Sequence, residues 1–268
     1  MCSRSKIGAL IPIRLASERL PGKAIKKLMD KPVVCHLLDR AFASKYLTKE
    51  NVIVCTTRDK SDDPLVEIVE QYGAKIYRGD TDDIIKRFYD AINEYHFDYI
   101  IQIDGDDITV EPEYMDITMS TLLSNNELDV VSCQGLPLGI ASMSFSRRAI
   151  EKVIKRYKTK KNDTGFASYF KETDFCKHQV VYPKSKEHVY ERVRLTLDYQ
   201  EDFNFFEAIF TRLYQPNTIF HLDELIGLLN QNKALAEINY FLQEQYMERW
   251  EEKRNFAYLN TKNEVKII

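Results

Sequence analysis

Short apolar runs alternate with amphipathic stretches through the first half of the chain. Residues 7–13 (IGALIPI) are almost continuously apolar, the pattern of a strand covered on both faces. A polar loop follows, and a helix is expected from Pro32, whose fixed φ suits a first helical turn. Residues 51–56 (NVIVCT) read as a second strand. The next helix carries its own punctuation: Asp63 is placed to cap it, Pro64 to occupy its first turn and Gly73 to end it. Its buried stripe is Leu65, Ile68, Val69 and Tyr72, at the spacing i, i+3, i+4, i+7. Residues 74–77 give a short strand, and residues 82–95 another helix with Ile85, Phe88, Ile92 and Tyr95 on one face. Residues 98–103 (DYIIQI) form a fourth strand that runs straight into DGDD.

Strand and helix alternating at this spacing predict an α/β fold: mostly parallel strands, right-handed crossovers, and helices on both faces of the sheet. Ligands of such sheets collect at the carboxyl ends of the strands, which singles out the loops at residues 14–23, 56–63 and 104–112. The second half is less regular. Residues 128–133, 141–145, 180–182 and 193–197 read as strands, 135–139 as a turn, and 158–163 (KTKKND) as a polar, basic connection. Helices are expected over residues 147–157 and over residues 200–213, the latter with Phe203, Phe206, Phe210 and Leu213 inward. No repeat, low-complexity segment or Gly/Ser linker divides the chain. One domain over residues 1–268 is expected, with a core to about residue 220 and a helical extension over 221–268.

Composition narrows the function classes. Hydrophobic residues make up 44% and charged residues 29% of the 268 positions, with a net charge of −3. That balance excludes a disordered chain, and it offers no basic excess for gripping nucleic acid by charge. No run approaches the ~18–20 apolar residues of a membrane span. The five cysteines, Cys2, Cys35, Cys55, Cys133 and Cys176, show no metal-like or redox-like spacing, and Cys35, Cys55 and Cys133 read as small core residues. An odd count and an opening run too short for export fit a reducing compartment, so the expected location is cytoplasmic.

Three clusters could carry chemistry. The loop RLASERLPGK puts Arg14, Arg19 and Lys23 in one excursion, with Ser17 supplying a hydroxyl and Gly22 allowing close backbone approach. Such a loop suits a triphosphate, although neither a P-loop nor a dinucleotide motif is present. IQIDGDDITVEP crowds Asp104, Asp106 and Asp107 at the end of a buried strand, where mutual repulsion calls for a cation; hard oxygen ligands suit Mg²⁺ or Mn²⁺. In RLTLDYQED, Asp198 is either a helix cap or a second ligand to the same metal, while Glu201 and Asp202 fit a first helical turn. His36, His96, His178, His188 and His221 are scattered and read as structural or surface residues.

IPIRLASERLPGK, YRGDTDDIIKRFYDA, IDGDDITVEPEYMD, RLTLDYQEDFNFFEAIF and FHLDELIGLLNQNKALAEIN follow one another in register along nearly the whole chain. In this order they resemble the cytidylyltransferases of the spore coat polysaccharide type, relatives of the CMP-Kdo and CMP-sialic acid synthetases. The resemblance implies a nucleotidyltransferase domain that uses CTP and Mg²⁺, joins CMP to a sugar or sugar acid, and releases pyrophosphate. It implies that Arg14, Ser17, Arg19, Gly22 and Lys23 bind the triphosphate, with Arg14, Lys23 and Asp106 catalytic and Asp106 and Asp198 on the metal. Thr56, Thr57 and Asp80 fall where the family lines its nucleotide pocket. The sequence departs from the family at Ile13, in place of a small residue, at Glu18 inside the basic loop, and at Asp104, where many members are uncharged.

Residues 136–188 are expected to shape the acceptor pocket, where Arg147, Arg148, Lys160 and Lys161 either meet an anion or stay solvated. A homodimer is expected, because residues 238–250 (INYFLQEQYMERW) hold more apolar groups than a lone surface helix needs and relatives commonly pair. The alternative is a glycosyltransferase using Asp104-Gly105-Asp106 as its metal motif; the basic loop counts against it, being more than a diphosphate sugar requires.

Overall fold

The computed structural model describes residues 5–162, 165–253 and 255–268, so Cys2 lies outside the described residues. Seven strands make the central sheet: β1 (Ile7–Pro12), β4 (Val52–Thr57), β5 (Lys75–Gly79), β6 (Tyr99–Gln102), β7 (Val130–Cys133), β8 (Met143–Ser146) and β9 (His178–Val181), in the order β5-β4-β1-β6-β8-β7-β9. A small hairpin, β2 (Lys27–Leu28) with β3 (Lys31–Pro32), stands apart. Within the sheet β8 alone runs against its neighbours β6 and β7, so the arrangement is the mostly parallel one that the pattern predicts.

Helices cover both faces. On one side α1 (Val33–Phe42), α2 (Asp63–Tyr72) and α4 (Pro112–Ser124) meet Ala9 and Ile11 of β1 in an apolar cluster. On the other, α3 (Ile84–Tyr95), α5 (Arg147–Arg156) and the short α6 (Ser168–Lys171) meet Leu10. Successive β1 residues therefore enter opposite clusters, which is why the strand reads as unbroken apolar sequence rather than as an alternation. A third cluster, from α7 (Gln200–Leu213) and α8 (Leu222–Gln231), packs Phe205, Phe206 and Leu225 against Ile108, Leu195 and Leu197.

Three local expectations need correction. Residues 193–197 alternate as a strand should, with Val193, Leu195 and Leu197 buried, yet they form only an isolated bridge between Arg194 and Leu138. Their amides are satisfied by loops instead, Leu195 N on Leu138 O and Leu197 N on Asp106 O. At the start of α2 it is Asp62, not Asp63, that takes the capping position. Past α9 (Leu242–Lys253) the chain closes with a hairpin, β10 (Ala257–Leu259) on β11 (Val265–Ile267), so the extension is not wholly helical. Phe256 and Tyr258 anchor that hairpin in the cluster under α5.

Of the described cysteines Cys35 and Cys55 are buried, whereas Cys133 is only half-buried; all four, with Cys176, are free thiols. In the stretch expected to pair subunits, Phe241 and Met247 are exposed, but Leu242 is buried and Tyr246 and Trp250 are partly covered. Among the described residues no helix is long and apolar enough to cross a membrane.

His36 ties α1 to the third cluster and makes stability depend on pH. Its ring is buried edge-on against Phe210 and Tyr214, with Nε2 2.9 Å from Leu28 O. Burial lowers its pKa to about 4, so the fold holds the neutral ring. A depressed folded pKa means that this contribution is complete above the unfolded value near 6.5 and is lost as pH falls toward 4. The linked loss is about 3 kcal/mol. Urea unfolding at pH 7.5 and 4.5 should show a loss smaller by about that amount in His36→Gln; equal losses in both proteins would contradict the assignment.

Candidate active site

The loop after β1 is folded by its own backbone. Ser17 N and Gly22 N both donate to Leu15 O, at 2.8 and 3.2 Å, and Leu20 N reaches Ser17 Oγ at 3.4 Å. Gly22 adopts φ 66°, a left-handed conformation that a glycine enters without steric cost, and it turns the chain into the short 3₁₀ turn Lys23–Ile25. Lys23 is thereby directed inward. Its Nζ donates to Leu197 O at 2.6 Å, Asp198 Oδ1 at 2.9 Å and Asp106 Oδ2 at 3.2 Å. Arg19 Nη2 donates to the same Asp198 Oδ1 at 2.5 Å, its guanidinium 5.1 Å from the Tyr199 ring centre.

Backbone contacts fix the two carboxylates. Leu197 N donates to Asp106 O at 2.9 Å, binding the loop after β6 to the segment that carries Asp198. Gly105 sits where a Cβ would lie 2.4 Å from Pro12 O, so only glycine lets the Asp104–Asp106 turn press against the end of β1.

Charge is only partly compensated within this cluster. Burial works against the Lys23 ammonium, but Asp106 and Asp198 outweigh it and raise its pKa, so it stays charged. For Asp198, almost wholly buried, desolvation is overcome by Lys23 and then Arg19, and its pKa is lowered. Asp107 is the opposite case: burial, then repulsion from Asp106 and Asp104, carries it well above the usual carboxylate range. Asp104 keeps an exposed tip, yet the protein packed around it, with Asp106, raises its pKa to about 6.

One ammonium already bridges Asp106 and Asp198, so both carboxylates face a common point from different segments. Two hard oxygen donors meeting there fit a Mg²⁺-sized ion that keeps water and phosphate as its other ligands. No group of three or more potential protein ligands is found among the described residues.

The other residues singled out in the sequence are placed around this cluster. Arg14 Nη1 lies 3.8 Å from Asp82 Oδ1. Thr56 and Thr57 are buried with their hydroxyls on Asp62 Oδ2, at 2.9 and 2.5 Å, while Asp62 Oδ1 accepts Leu15 N at 2.8 Å. They brace the loop from behind through Asp62. The Asp80 carboxylate accepts the amides of Asp82 and Asp83, shaping the turn into α3. Arg147 and Arg148 are engaged elsewhere, Arg147 on Phe97 O, Ile92 O and Asn93, Arg148 on Asp129 and nearby carbonyls. Lys160 is exposed, 3.8 Å from Asp83. The histidines serve structure: His188 joins Tyr114 to Asp223 and His221 meets Glu111, beside a separate cavity of about 420 Å³.

Sequence reasoning misses three groups, Asp62, Asn162 and Arg194, and leaves a fourth, Glu18, without its partner. Asp62, rather than its neighbour Asp63, takes both threonine hydroxyls. Asn162, in the segment read as a polar, basic connection, is fully buried and accepts Ile84 N and Ile85 N at the start of α3. Glu18, the odd charge in the basic loop, pairs with Arg249 of α9 at 3.0 Å. Arg194 is wholly buried and contacts Asp198 and Asp202, a set whose i, i+4, i+8 spacing was the available signal.

A mostly parallel sheet with a basic loop after β1 and two acidic segments beside it is the arrangement that suits a nucleotidyltransferase, the class to which the family match assigns the chain. Residues 8–253 match the model of the cytidylyltransferase family, and the chain belongs to that family. It is 24% identical over 230 residues to the spore coat polysaccharide biosynthesis protein SpsF of Bacillus subtilis, covering 85% of this chain and 95% of that one. It is 28% identical over 186 residues to the 3-deoxy-manno-octulosonate cytidylyltransferase of Sodalis glossinidius, covering 68% of each. The fold matches that of a cytidylyltransferase from Leptospira borgpetersenii with a TM-score of 0.78 at 24% identity, over 87% of this chain and 97% of that one.

Proposed function

We propose that this protein is a Mg²⁺-dependent, cytoplasmic enzyme that transfers CMP from CTP to a sugar or sugar-acid acceptor and releases pyrophosphate. The observation that carries the reading is the shared contact of Lys23 with Asp106 and Asp198, flanked by Arg19. In the reaction an acceptor hydroxyl oxygen attacks the α-phosphorus, its proton passes to solvent, and the bond to the bridging oxygen of pyrophosphate breaks. Arg14, Arg19 and Lys23 hold the triphosphate and stabilise charge developing on the leaving group. Asp106 and Asp198 would hold the metal, whose chemistry is to draw charge from the phosphate oxygens. A sugar-acid acceptor is favoured by the likeness to a 3-deoxy-manno-octulosonate cytidylyltransferase.

The test is pyrophosphate release with each nucleoside triphosphate against a panel of sugar acids and sugar phosphates, the products identified by mass spectrometry. CTP should be turned over in clear preference to ATP, GTP and UTP. Equal turnover of a purine triphosphate would remove the base specificity, and sugar transfer from a nucleoside diphosphate sugar without use of CTP would favour glycosyl transfer instead.

A further inference from the structure

Arg194 lies at the meeting point of the acidic cluster and the C-terminal helix. It is fully buried, and its guanidinium takes Asp202 with two nitrogens, Nε at 3.0 Å and Nη2 at 3.3 Å. Nη2 also reaches Asp198 Oδ2 at 3.2 Å. The two oxygens of Asp198 thus have separate tasks: Oδ1 faces Arg19 and Lys23 in the loop, while Oδ2 is held from behind. With Oδ2 held, the carboxylate cannot rotate freely about its last torsion, and Oδ1 stays directed at the loop.

Beside Asp202, α9 also packs on Arg194. The Tyr246 ring centre lies 4.4 Å from the Arg194 guanidinium carbon, and Gln243 Oε1 is 3.4 Å from Nη1. Burial, and then the charges of Asp106 and Asp198, push the Tyr246 hydroxyl upward in pKa, so the ring meets the guanidinium as a neutral phenol. The same helix reaches the basic loop through Arg249 and Glu18. Helix α9 therefore touches both sides of the candidate site.

We propose that Arg194, stacked on Tyr246 of α9, is a positioning residue for Asp198, so that the C-terminal helix sets the orientation of a metal-binding carboxylate. This rests on the function proposed above. Partners that orient a ligating group typically change metal affinity by about 10–100-fold when lost.

The test is Mn²⁺ binding to the nucleotide-free protein, followed by electron paramagnetic resonance, together with kcat and KM for CTP. Tyr246→Leu removes the ring and should weaken Mn²⁺ binding about tenfold and lower kcat more than it raises KM; Tyr246→Phe keeps the ring and should behave as wild type. Melting temperature monitors the fold, and Tyr246→Met, which refills the volume with a flexible apolar chain, stands in if the leucine variant does not fold. Folded leucine or methionine variants with wild-type Mn²⁺ affinity would overturn the proposal, as would a phenylalanine variant as impaired as leucine. Wild-type protein that neither binds Mn²⁺ nor releases pyrophosphate would instead overturn the function itself.

Discussion

Lys23→Met is expected to lower CTP-dependent pyrophosphate release by about 10²–10³-fold, the usual cost of removing a donor aimed at developing charge. Methionine keeps the unbranched apolar stem, and the loop around it is held by backbone bonds to Leu15 and Leu20 that the substitution does not touch. Asp198 retains Arg19 and Arg194, so its carboxylate is not left unpaired. Asp106 loses its one cationic contact among the ion pairs described, and its repulsion with Asp104 and Asp107 is less screened. Added Mg²⁺ should therefore raise the melting temperature of Lys23→Met by more than that of the wild type. A variant with kcat/KM within threefold of wild type would take Lys23 out of the chemistry.

Asp106→Asn and Asp198→Asn should each raise the Mg²⁺ concentration needed for half-maximal rate, but at unequal cost to stability. Asp106 keeps 30% of its side chain exposed and meets one ammonium, whereas Asp198 is 1% exposed and serves Lys23, Arg19 and Arg194. Neutralising a buried ionic partner costs about 3–5 kcal/mol, so Asp198→Asn should unfold at markedly lower urea concentration and Asp106→Asn should not. If both hold one ion, the double variant loses less activity than the product of the single losses. Initial rates across a Mg²⁺ titration decide this. An Asp198→Asn protein that folds and keeps the wild-type Mg²⁺ dependence would leave Asp198 a structural anchor and assign the metal to Asp106 with Asp104 or Asp107.

The layered sheet was legible because its signals are local. Residues 7–13 make one unbroken apolar run, as a strand buried between two clusters must, and Gln200–Leu213 carries its inward phenylalanines at helical spacing. The acidic and basic clusters were legible for the same reason, each being contiguous in sequence. What stayed hidden depends on partners far along the chain. The run 193–197 alternates like a strand because its side chains enter the third cluster, and nothing local reveals that its amides bond to loops. Thr56 and Thr57 stand at the end of a strand, where ligands gather, but their hydroxyls turn to Asp62 and so to the backbone of Leu15. Glu18 looked misplaced in a cationic loop until Arg249, from the other end of the chain, met it.

The bridge that Lys23 makes to Asp198 spans 175 positions of sequence, and its bridge to Asp106 spans 83. Chain-closing contacts of such separation are paid in loop entropy and form only when the intervening elements have docked. A growing polypeptide would therefore carry Arg19, Lys23 and Asp106 well before it contains the carboxylate that balances the two cations. The interior of this site is completed by the last third of the chain, and a ribosome stalled before Asp198 would hold a sheet's worth of strands in which Lys23 has only Asp106 and Arg19 lacks its buried carboxylate.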